Sequence, residues 1–195
     1  MQNSVKYLKK NKIIIFPAET LYGFSCSLYA RDSIKKVFEM KNRQEVKQFI
    51  VLVKSFEMAS EIVDIDDFKL SFLKKYNYWP NHLTIVFKSK IKDYNTLALR
   101  YSNSKYITEL FKKINFPIIS TSVNYSNEPP MLNLKDIIKE FDKNIAYINT
   151  SSPDGTGKAS TIVDFTTSEI NLIREGELSY KKMKEDYNEF RNNNK

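Results

Sequence analysis

Short apolar runs recur along the chain and alternate with segments of helical periodicity. The clearest runs are Ile13–Phe16, Phe49–Val53 and Leu83–Phe87. A continuous apolar run of this length, closed by proline or by polar residues, is typical of a buried strand. In the first half of the chain these runs alternate with helical segments, so the sequence predicts an α/β fold with helices packed on a sheet.

The remaining elements follow from the same patterns. Asp32 can cap a helix in which Ile34, Val37 and Phe38 share one face. Other helices are predicted over 55–62, 66–76, 103–114 and 134–142, and other strands over 96–100, 117–120, 145–149, 160–165 and 170–174. Short strands dominate the last third, which favours a twisted sheet of mixed parallel and antiparallel strands.

The organisation predicted along the chain is simple. Residues 1–180 are predicted to form one α/β domain. Residues 181–195, which are charged and rich in asparagine, are predicted to form a surface helix or a frayed tail. The segment 151–158 is interpreted as a loop that could close over a site.

Composition narrows the class of protein. With 42% hydrophobic residues among 195, the chain can bury a sizeable core, which argues against global disorder. A single cysteine, Cys26, excludes an internal disulfide framework and is typical of a reducing cytosol. No apolar stretch approaches the roughly 18 residues of a membrane span. A cytoplasmic protein without a membrane partner, and without protein ligands for a structural metal, is therefore expected.

The formal net charge of +8 points to an anionic partner, either nucleic acid or the phosphates of a nucleotide. A basic surface with no specific partner explains the composition equally well. Charge alone therefore leaves both interpretations open.

Polar and basic side chains collect where the predicted strands end. Ile118–Ile119 leads into a cluster of hydroxyl and amide residues, and two other strands end at Arg100 and Arg174. In open α/β sheets, ligands bind at strand ends where loops converge. If these ends converge, the arginines could grip a phosphate or a carboxylate bidentately. Each element alone has an ordinary interpretation: Lys41–Arg43 is typical of a solvated C-terminal helix turn, and the arginines of surface ion pairs.

Taken in order, these segments resemble the YrdC/TsaC family of threonylcarbamoyl-AMP synthases. Phe16–Phe24 is similar to the family's P-T-E-T-x-Y-G-L motif, Lys41–Arg43 to its K-x-R, and Ser122–Asn124 to its S-x-N. Its W-P-G-P-L-T, V-A-L-R, S-T-I-V-D and I-R-x-G segments match residues 79–84, 97–100, 160–164 and 173–176. The resemblance covers about residues 12–178. The chain departs from the motifs at Ala18, Asn42, Gln44, Gln48, Leu52, Asn81 and His82.

The resemblance implies a mixed sheet with a basic concave cavity and a nucleotidyltransferase activity. The enzyme would condense L-threonine, bicarbonate or carbon dioxide, and ATP into threonylcarbamoyl-AMP and pyrophosphate, for threonylcarbamoyladenosine modification of tRNA position 37. ATP is then a substrate, and Mg²⁺ is expected to bridge its phosphates with few protein ligands. The implied partners are downstream tRNA threonylcarbamoyl-transfer proteins, with a weak contact to tRNA itself.

The same resemblance assigns roles to particular residues. The catalytic set would be Lys41, Arg43, Ser122 and Asn124. L-Threonine would bind to Thr20, Arg100, Ser120 and Ser160, with Arg100 on its carboxylate. ATP would bind to Arg43, Lys47, Thr96, Ser122, Asn124 and Arg174. His82 is a candidate for the group that deprotonates the threonine ammonium.

Three other functions stay open. An RNA-binding module of the same fold without synthase activity would also suit the positive charge. A carbamoyl-transfer domain like that of hydrogenase-maturation proteins is a second, although those longer chains carry zinc-finger cysteines. A catalytically inactive scaffold is a third, which the retention of Lys41, Arg43, Ser122 and Asn124 argues against.

Overall fold

The computed structural model describes residues 1–19, 21–42, 49–153 and 158–194. The chain divides into two compact units, each built from two separate stretches of sequence. Unit 1 comprises Met1–Leu52 and Ser104–Gly157, and unit 2 comprises Val53–Asn103 and Lys158–Lys195.

The helices and strands are numbered in chain order. The helices are α1 (Gln2–Lys9), α2 (Arg31–Met40), α3 (Phe56–Ile62), α4 (Asp67–Lys75), α5 (Lys105–Phe111), α6 (Leu134–Phe141) and α7 (Tyr180–Asn193), with a 3₁₀ turn at Asp142–Asn144. The strands are β1 (Ile14–Ala18), β2 (Leu21–Ser27), β3 (Ile50–Val53), β4 (Leu83–Lys88), β5 (Thr96–Tyr101), β6 (Ile118–Ser122), β7 (Tyr147–Ile148), β8 (Thr161–Asp164) and β9 (Asn171–Arg174).

Unit 1 is built on strands in the order β7-β1-β2-β6-β3. β7 pairs with β1 in parallel, and the other neighbours pair antiparallel. Most apolar side chains of β1, β2 and β6 are buried and form the core, and Ile15, Phe24 and Ile119 are fully buried. Helices flank this mixed sheet, as the sequence predicts.

Unit 2 is built on strands in the order β5-β4-β8-β9. β4 and β8 pair in parallel, whereas β4–β5 and β8–β9 pair antiparallel, the latter with a register shift between Ile162 and Val163. Its core is largely aromatic: the ring of Tyr187 lies 5.1 Å from that of Phe72 and 5.3 Å from that of Phe165, measured between centroids. The predicted α/β fold with mixed strand pairing is confirmed.

The structure also corrects two sequence-based expectations. Strand β2 was not predicted, because its small residues Gly23, Ser25 and Ser27 break the apolar pattern although they lie in a buried strand. Asp32 is not the cap of α2: the N-cap is Ala30, and the Asp32 carboxylate lies in the first turn, where it still favours the helix dipole.

The C-terminal segment was predicted as a surface helix or a frayed tail, and the structure shows a helix. Its described part is not frayed but forms most of α7, which buries Met183, Asp186, Tyr187 and Phe190. The predicted boundary after residue 180 and the basic concave cavity stay predictions. Among the described residues, no helix has both the length and the apolar character needed to cross a membrane.

Candidate active site

Lys41 is buried at the C-terminal end of α2, with 3% of its surface exposed. Its Nζ donates to the backbone oxygens of Ser122 (2.5 Å) and Asn124 (2.9 Å) and to Oδ1 of Asn124 (2.7 Å). A lysine ammonium has three N–H groups, so these contacts use all of them. We call Lys41, Ser122 and Asn124 the lysine clamp. The interpretation of Lys41 as part of a solvated helix turn is therefore wrong.

The side chains of Ser122 and Asn124 are bonded just as completely. Ser122 Oγ donates to Asn124 Oδ1 at 2.7 Å. Asn124 Nδ2 donates to the backbone oxygens of Tyr125 (2.8 Å) and Glu128 (2.7 Å). In return, the backbone N–H of Ser126 donates to the carbonyl of Lys41 at 2.7 Å. The segment after β6 is thus tied to the end of α2 from both sides.

Strand β2 supports the clamp from the neighbouring position in the sheet. Gly23 lies opposite Ser122, and a Cβ added to Gly23 would meet Ser120 Oγ at 3.0 Å. Tyr22 donates its hydroxyl to the carbonyl of Ser151 at 3.0 Å, at the start of the predicted loop 151–158. Before β2, the buried Glu19 has a φ of 66°, a left-handed conformation that is uncommon for a residue other than glycine. Strained turns of this kind gather at functional sites.

Unit 2 carries a second polar group, centred on Arg100 near the end of β5. Arg100 is 8% exposed and lies opposite Thr84 of β4. Its Nη2 lies 3.3 Å from His82 Nδ1, and that nitrogen lies 3.0 Å from Glu177 Oε2. Thr84 Oγ1 and Ser160 Oγ share a buried hydrogen bond of 2.9 Å.

Arg174, at the end of β9, completes this group. Its Nη2 donates to the backbone oxygen of Ser160 at 2.8 Å, and its Nε lies 3.3 Å from the same atom. We call the set the arginine cluster, which consists of His82, Thr84, Arg100, Ser160, Arg174 and Glu177.

Gly176 explains how the chain can return so close to Ser160. A Cβ at this position would lie 2.4 Å from three backbone atoms, which belong to Ala159, Ser160 and Thr161. The N–H of Gly176 also donates to Thr161 Oγ1 at 2.9 Å. Only glycine allows this approach, which fixes the backbone of Ser160 beside Arg174.

The electrostatics of the arginine cluster are set by desolvation. Burial lowers the pKa of Arg100 to about 10; the Glu177 carboxylate opposes this shift, and the Arg174 charge adds to it. Arg174 is more exposed, and its partial desolvation also lowers its pKa. Both guanidinium groups stay charged at neutral pH, but burial disfavours that charge. An anionic ligand would offset this cost.

The remaining predicted site residues differ in their placement. Thr96 lies at the opposite end of β5 from Arg100, about 13 Å along the strand, and faces Lys88. It lines a cavity of about 580 Å³ with Lys88, Lys90, Lys92 and Asp164, among others. The structure therefore does not bring Thr96 to the arginine cluster. Thr20, Arg43 and Lys47, and residues 154–157 of the predicted loop, lie outside the described residues.

Two members of the arginine cluster were missed by sequence reasoning. Thr84 belongs to the matched segment 79–84, so a signal for it was available. Glu177 follows the last matched segment, and no sequence pattern marked it. His82 was one candidate for the proton acceptor, and its Nδ1 lies within 3.3 Å of both Arg100 and Glu177.

The sequence matches a protein-family model described as telomere recombination, that of Sua5, YciO and YrdC, over residues 6–176. This span includes Lys41, Arg100, Ser122, Asn124 and Arg174. The chain belongs to the Sua5/YciO/YrdC family. The predicted family is thus confirmed.

Curated members of the family similar to this chain carry the name threonylcarbamoyl-AMP synthase. The protein of Klebsiella pneumoniae is 27% identical over 184 residues, which cover 89% of this chain and 94% of that protein. The protein of Buchnera aphidicola is 29% identical over 187 residues, covering 90% and 97%. The protein of Bacillus subtilis is 26% identical over 180 residues, but this chain spans only 52% of its length.

Solved structures of the family share the fold. Sua5 of P. abyssi, crystallised with L-threonine, superposes with a TM-score of 0.83 at 24% identity, over 94% of this chain and 56% of that one. YciO of E. coli superposes with a TM-score of 0.79 at 17% identity, over 92% and 90%.

Proposed function

We propose that this family member is a threonylcarbamoyl-AMP synthase whose substrates are L-threonine, bicarbonate or carbon dioxide, and ATP. The observation that carries the proposal is the arginine cluster, in which a desolvated guanidinium lies beside the hydroxyl pair of Thr84 and Ser160. An amino acid offers a carboxylate for the guanidinium, and threonine also offers a hydroxyl for the pair. The names of the relatives favour this enzyme over an RNA-binding module.

The proposed binding of L-threonine centres on Arg100, whose fork of N–H groups matches a carboxylate. Ser160 and Thr84 would hold the substrate hydroxyl or amine, and Thr20 and Ser120 would complete the site. His82, in contact with Glu177, would accept a proton from the substrate ammonium. Neutral imidazole is the usual acceptor for such a proton.

The proposed binding of ATP involves Arg43, Lys47, Thr96 and Arg174, together with the segment of Ser122 and Asn124. Mg²⁺ would accompany the triphosphate, since it is usually held by phosphates and few protein groups. Among the described residues, no group of three or more His, Cys, Asp or Glu could hold a metal.

The proposed reaction has two steps that balance. Threonine ammonium and bicarbonate give the carbamate, water and a proton. A carbamate oxygen then bonds to the α-phosphorus of ATP while the bond to the β-phosphate oxygen breaks, and pyrophosphate leaves. Both reactants of the second step are anions, so cations and in-line positioning are what the protein must supply. The product would pass, in the cytoplasm, to proteins that modify tRNA position 37.

The test uses the purified protein with Mg²⁺, bicarbonate, L-threonine and ATP carrying a radioactive α-phosphate. We expect pyrophosphate and a labelled adenylate only when both threonine and bicarbonate are present. Serine in place of threonine, and omission of bicarbonate, are the controls. Pyrophosphate release that ignores threonine, or none at all, would contradict the proposal.

A further inference from the structure

The lysine clamp has a property that bears on how Lys41 acts. Its three N–H groups donate to three carbonyl oxygens, at 2.5, 2.9 and 2.7 Å. A phosphate oxygen could take one of these N–H groups only if a clamp bond were given up. The carbonyl losing that bond would lie in a partly buried site, where an unmade hydrogen bond still costs free energy.

The clamp bonds join segments that are distant in sequence. Lys41 is 81 residues from Ser122 and 83 from Asn124. The segment that it holds is also tied to β2, because the N–H of Val123 donates to the carbonyl of Tyr22 at 3.1 Å. The N–H of Met131 donates to the carbonyl of Val123 at 2.8 Å. Lys41 thus lies at the centre of a network that fixes residues 122–131.

We propose that Lys41 is a positioning residue, which holds the segment of Ser122 and Asn124 in shape and does not itself bind the nucleotide. The proposal rests on the proposed function for its kinetic test only. The positive charge of Lys41 still acts on a bound anion through space. The donors that contact the phosphates come from other residues.

Two substitutions of Lys41 separate positioning from direct contact. Lys41→Met keeps the length of the side chain but removes all its N–H groups. Lys41→Arg keeps the charge and is a strong ligand for phosphate, but its planar fork cannot direct three N–H groups from one nitrogen to three acceptors. A direct contact would therefore tolerate arginine, and a clamp would not.

We expect both variants to lower kcat for ATP-dependent pyrophosphate release by about 10²-fold, the usual cost of misplaced reacting groups. The KM for ATP should change little, because a lost ground-state contact raises KM whereas lost positioning lowers kcat. Lys35→Met and Lys35→Arg are the matched controls, since Lys35 is on the same helix and 73% exposed. Retained activity in Lys41→Arg with loss in Lys41→Met would overturn the proposal.

A second readout needs neither activity nor a variant. In ¹⁵N NMR spectra of the wild-type protein, the Lys41 side-chain ammonium should be protected from exchange with solvent, because all three of its N–H groups are bonded. That protection should persist when ATP is added. If ATP binds and the protection is lost, Lys41 has left the clamp and the proposal fails. If wild-type turnover does not depend on threonine, the proposed function fails while this measurement still tests the clamp.

Discussion

The lysine clamp of unit 1 and the arginine cluster of unit 2 both bury cations, but they treat them differently. In the clamp, one ammonium meets three carbonyl oxygens at 2.5 to 2.9 Å. In the cluster, Arg100 contacts an imidazole at 3.3 Å, and burial lowers its pKa to about 10. All three N–H groups of Lys41 are bonded within the protein. The positive charge of Arg100 is instead disfavoured by burial, and an anionic ligand would offset that free-energy cost.

The difference indicates a division of tasks. A closed network of hydrogen bonds defines shape, because every bond would have to break for the segment to move. A desolvated guanidinium beside hydroxyl groups instead provides affinity for an anion that replaces water. We therefore expect substitutions in the clamp to affect positioning and substitutions in the cluster to affect binding.

Within the arginine cluster, the largest effect is expected at Arg100. Arg100→Gln should raise the KM for L-threonine by about 30-fold or more, since losing one partner of a buried charge pair costs about 2–5 kcal/mol. Arg100→Lys should restore little of the affinity for L-threonine, because a single ammonium cannot bind a carboxylate bidentately. Steady-state kinetics with threonine varied at saturating ATP measure both variants.

Lys88→Gln is the control for Arg100→Gln. It removes the same charge from the β4–β5 hairpin at an exposed position, and it should leave the KM for threonine unchanged. If Arg100→Gln raised the KM for ATP but not that for threonine, the arginine cluster would bind the nucleotide. The assignment of the cluster to threonine binding would then be wrong.

The next effect concerns the glycines that support each group. Gly176→Ala should destabilise the protein by about 3 kcal/mol, at the upper end for overpacking, because the new Cβ would lie 2.4 Å from backbone atoms that cannot rotate away. Gly23→Ala should cost less, since its closest contact is the Ser120 hydroxyl at 3.0 Å, which can turn. Urea unfolding of the two variants measures the difference.

Equal losses of unfolding free energy in Gly23→Ala and Gly176→Ala would show that the backbone around Ser160 can move to accommodate a new Cβ. Binding of L-threonine distinguishes the two variants more sharply. Gly176→Ala shifts the backbone of Ser160 and should weaken threonine binding. Gly23→Ala would only turn the Ser120 hydroxyl, a proposed threonine ligand, so it should reduce the stabilisation by threonine in thermal melts less than Gly176→Ala does.

Strand ends were the part of the site that sequence could predict. Arg100 and Arg174 were expected where short apolar runs stop, and the structure places both there, near the end of β5 and at the end of β9. Such boundaries depend on local composition, so a single sequence contains them. β2 was missed for the opposite reason: its small residues are buried because strands pair on both sides of it, which is a property of the sheet.

Long-range bonds were the part that sequence could not predict. Lys41 follows a helix, and a local pattern cannot distinguish a solvated lysine from one bonded to a segment 81 residues away. The same holds for the contact of His82 with Glu177 and for the glycine-dependent passage at Ser160. Family motifs marked most of these residues, but the geometry was needed to separate a closed clamp from a charged cluster.

The smallest effects give the most direct comparison of the two groups. Ser122→Ala removes the hydroxyl that donates to Asn124, and Thr84→Val removes the hydroxyl that bonds Ser160. Each loses one neutral hydrogen bond, which contributes about 1 kcal/mol, so their losses of stability should be similar. Their kinetics should differ: Ser122→Ala should lower kcat with ATP about fivefold, and Thr84→Val should raise the KM for L-threonine by about as much.

Which kinetic parameter each variant changes is more informative than the size of the change. If each variant changes only its own substrate's parameter, shape and charge are separate contributions to the reaction. If both variants change both parameters equally, the two groups act as one coupled unit, and their double variant should lose less than the sum of the single losses. Kinetics of the single and double variants, with threonine and ATP varied in turn, distinguish these outcomes.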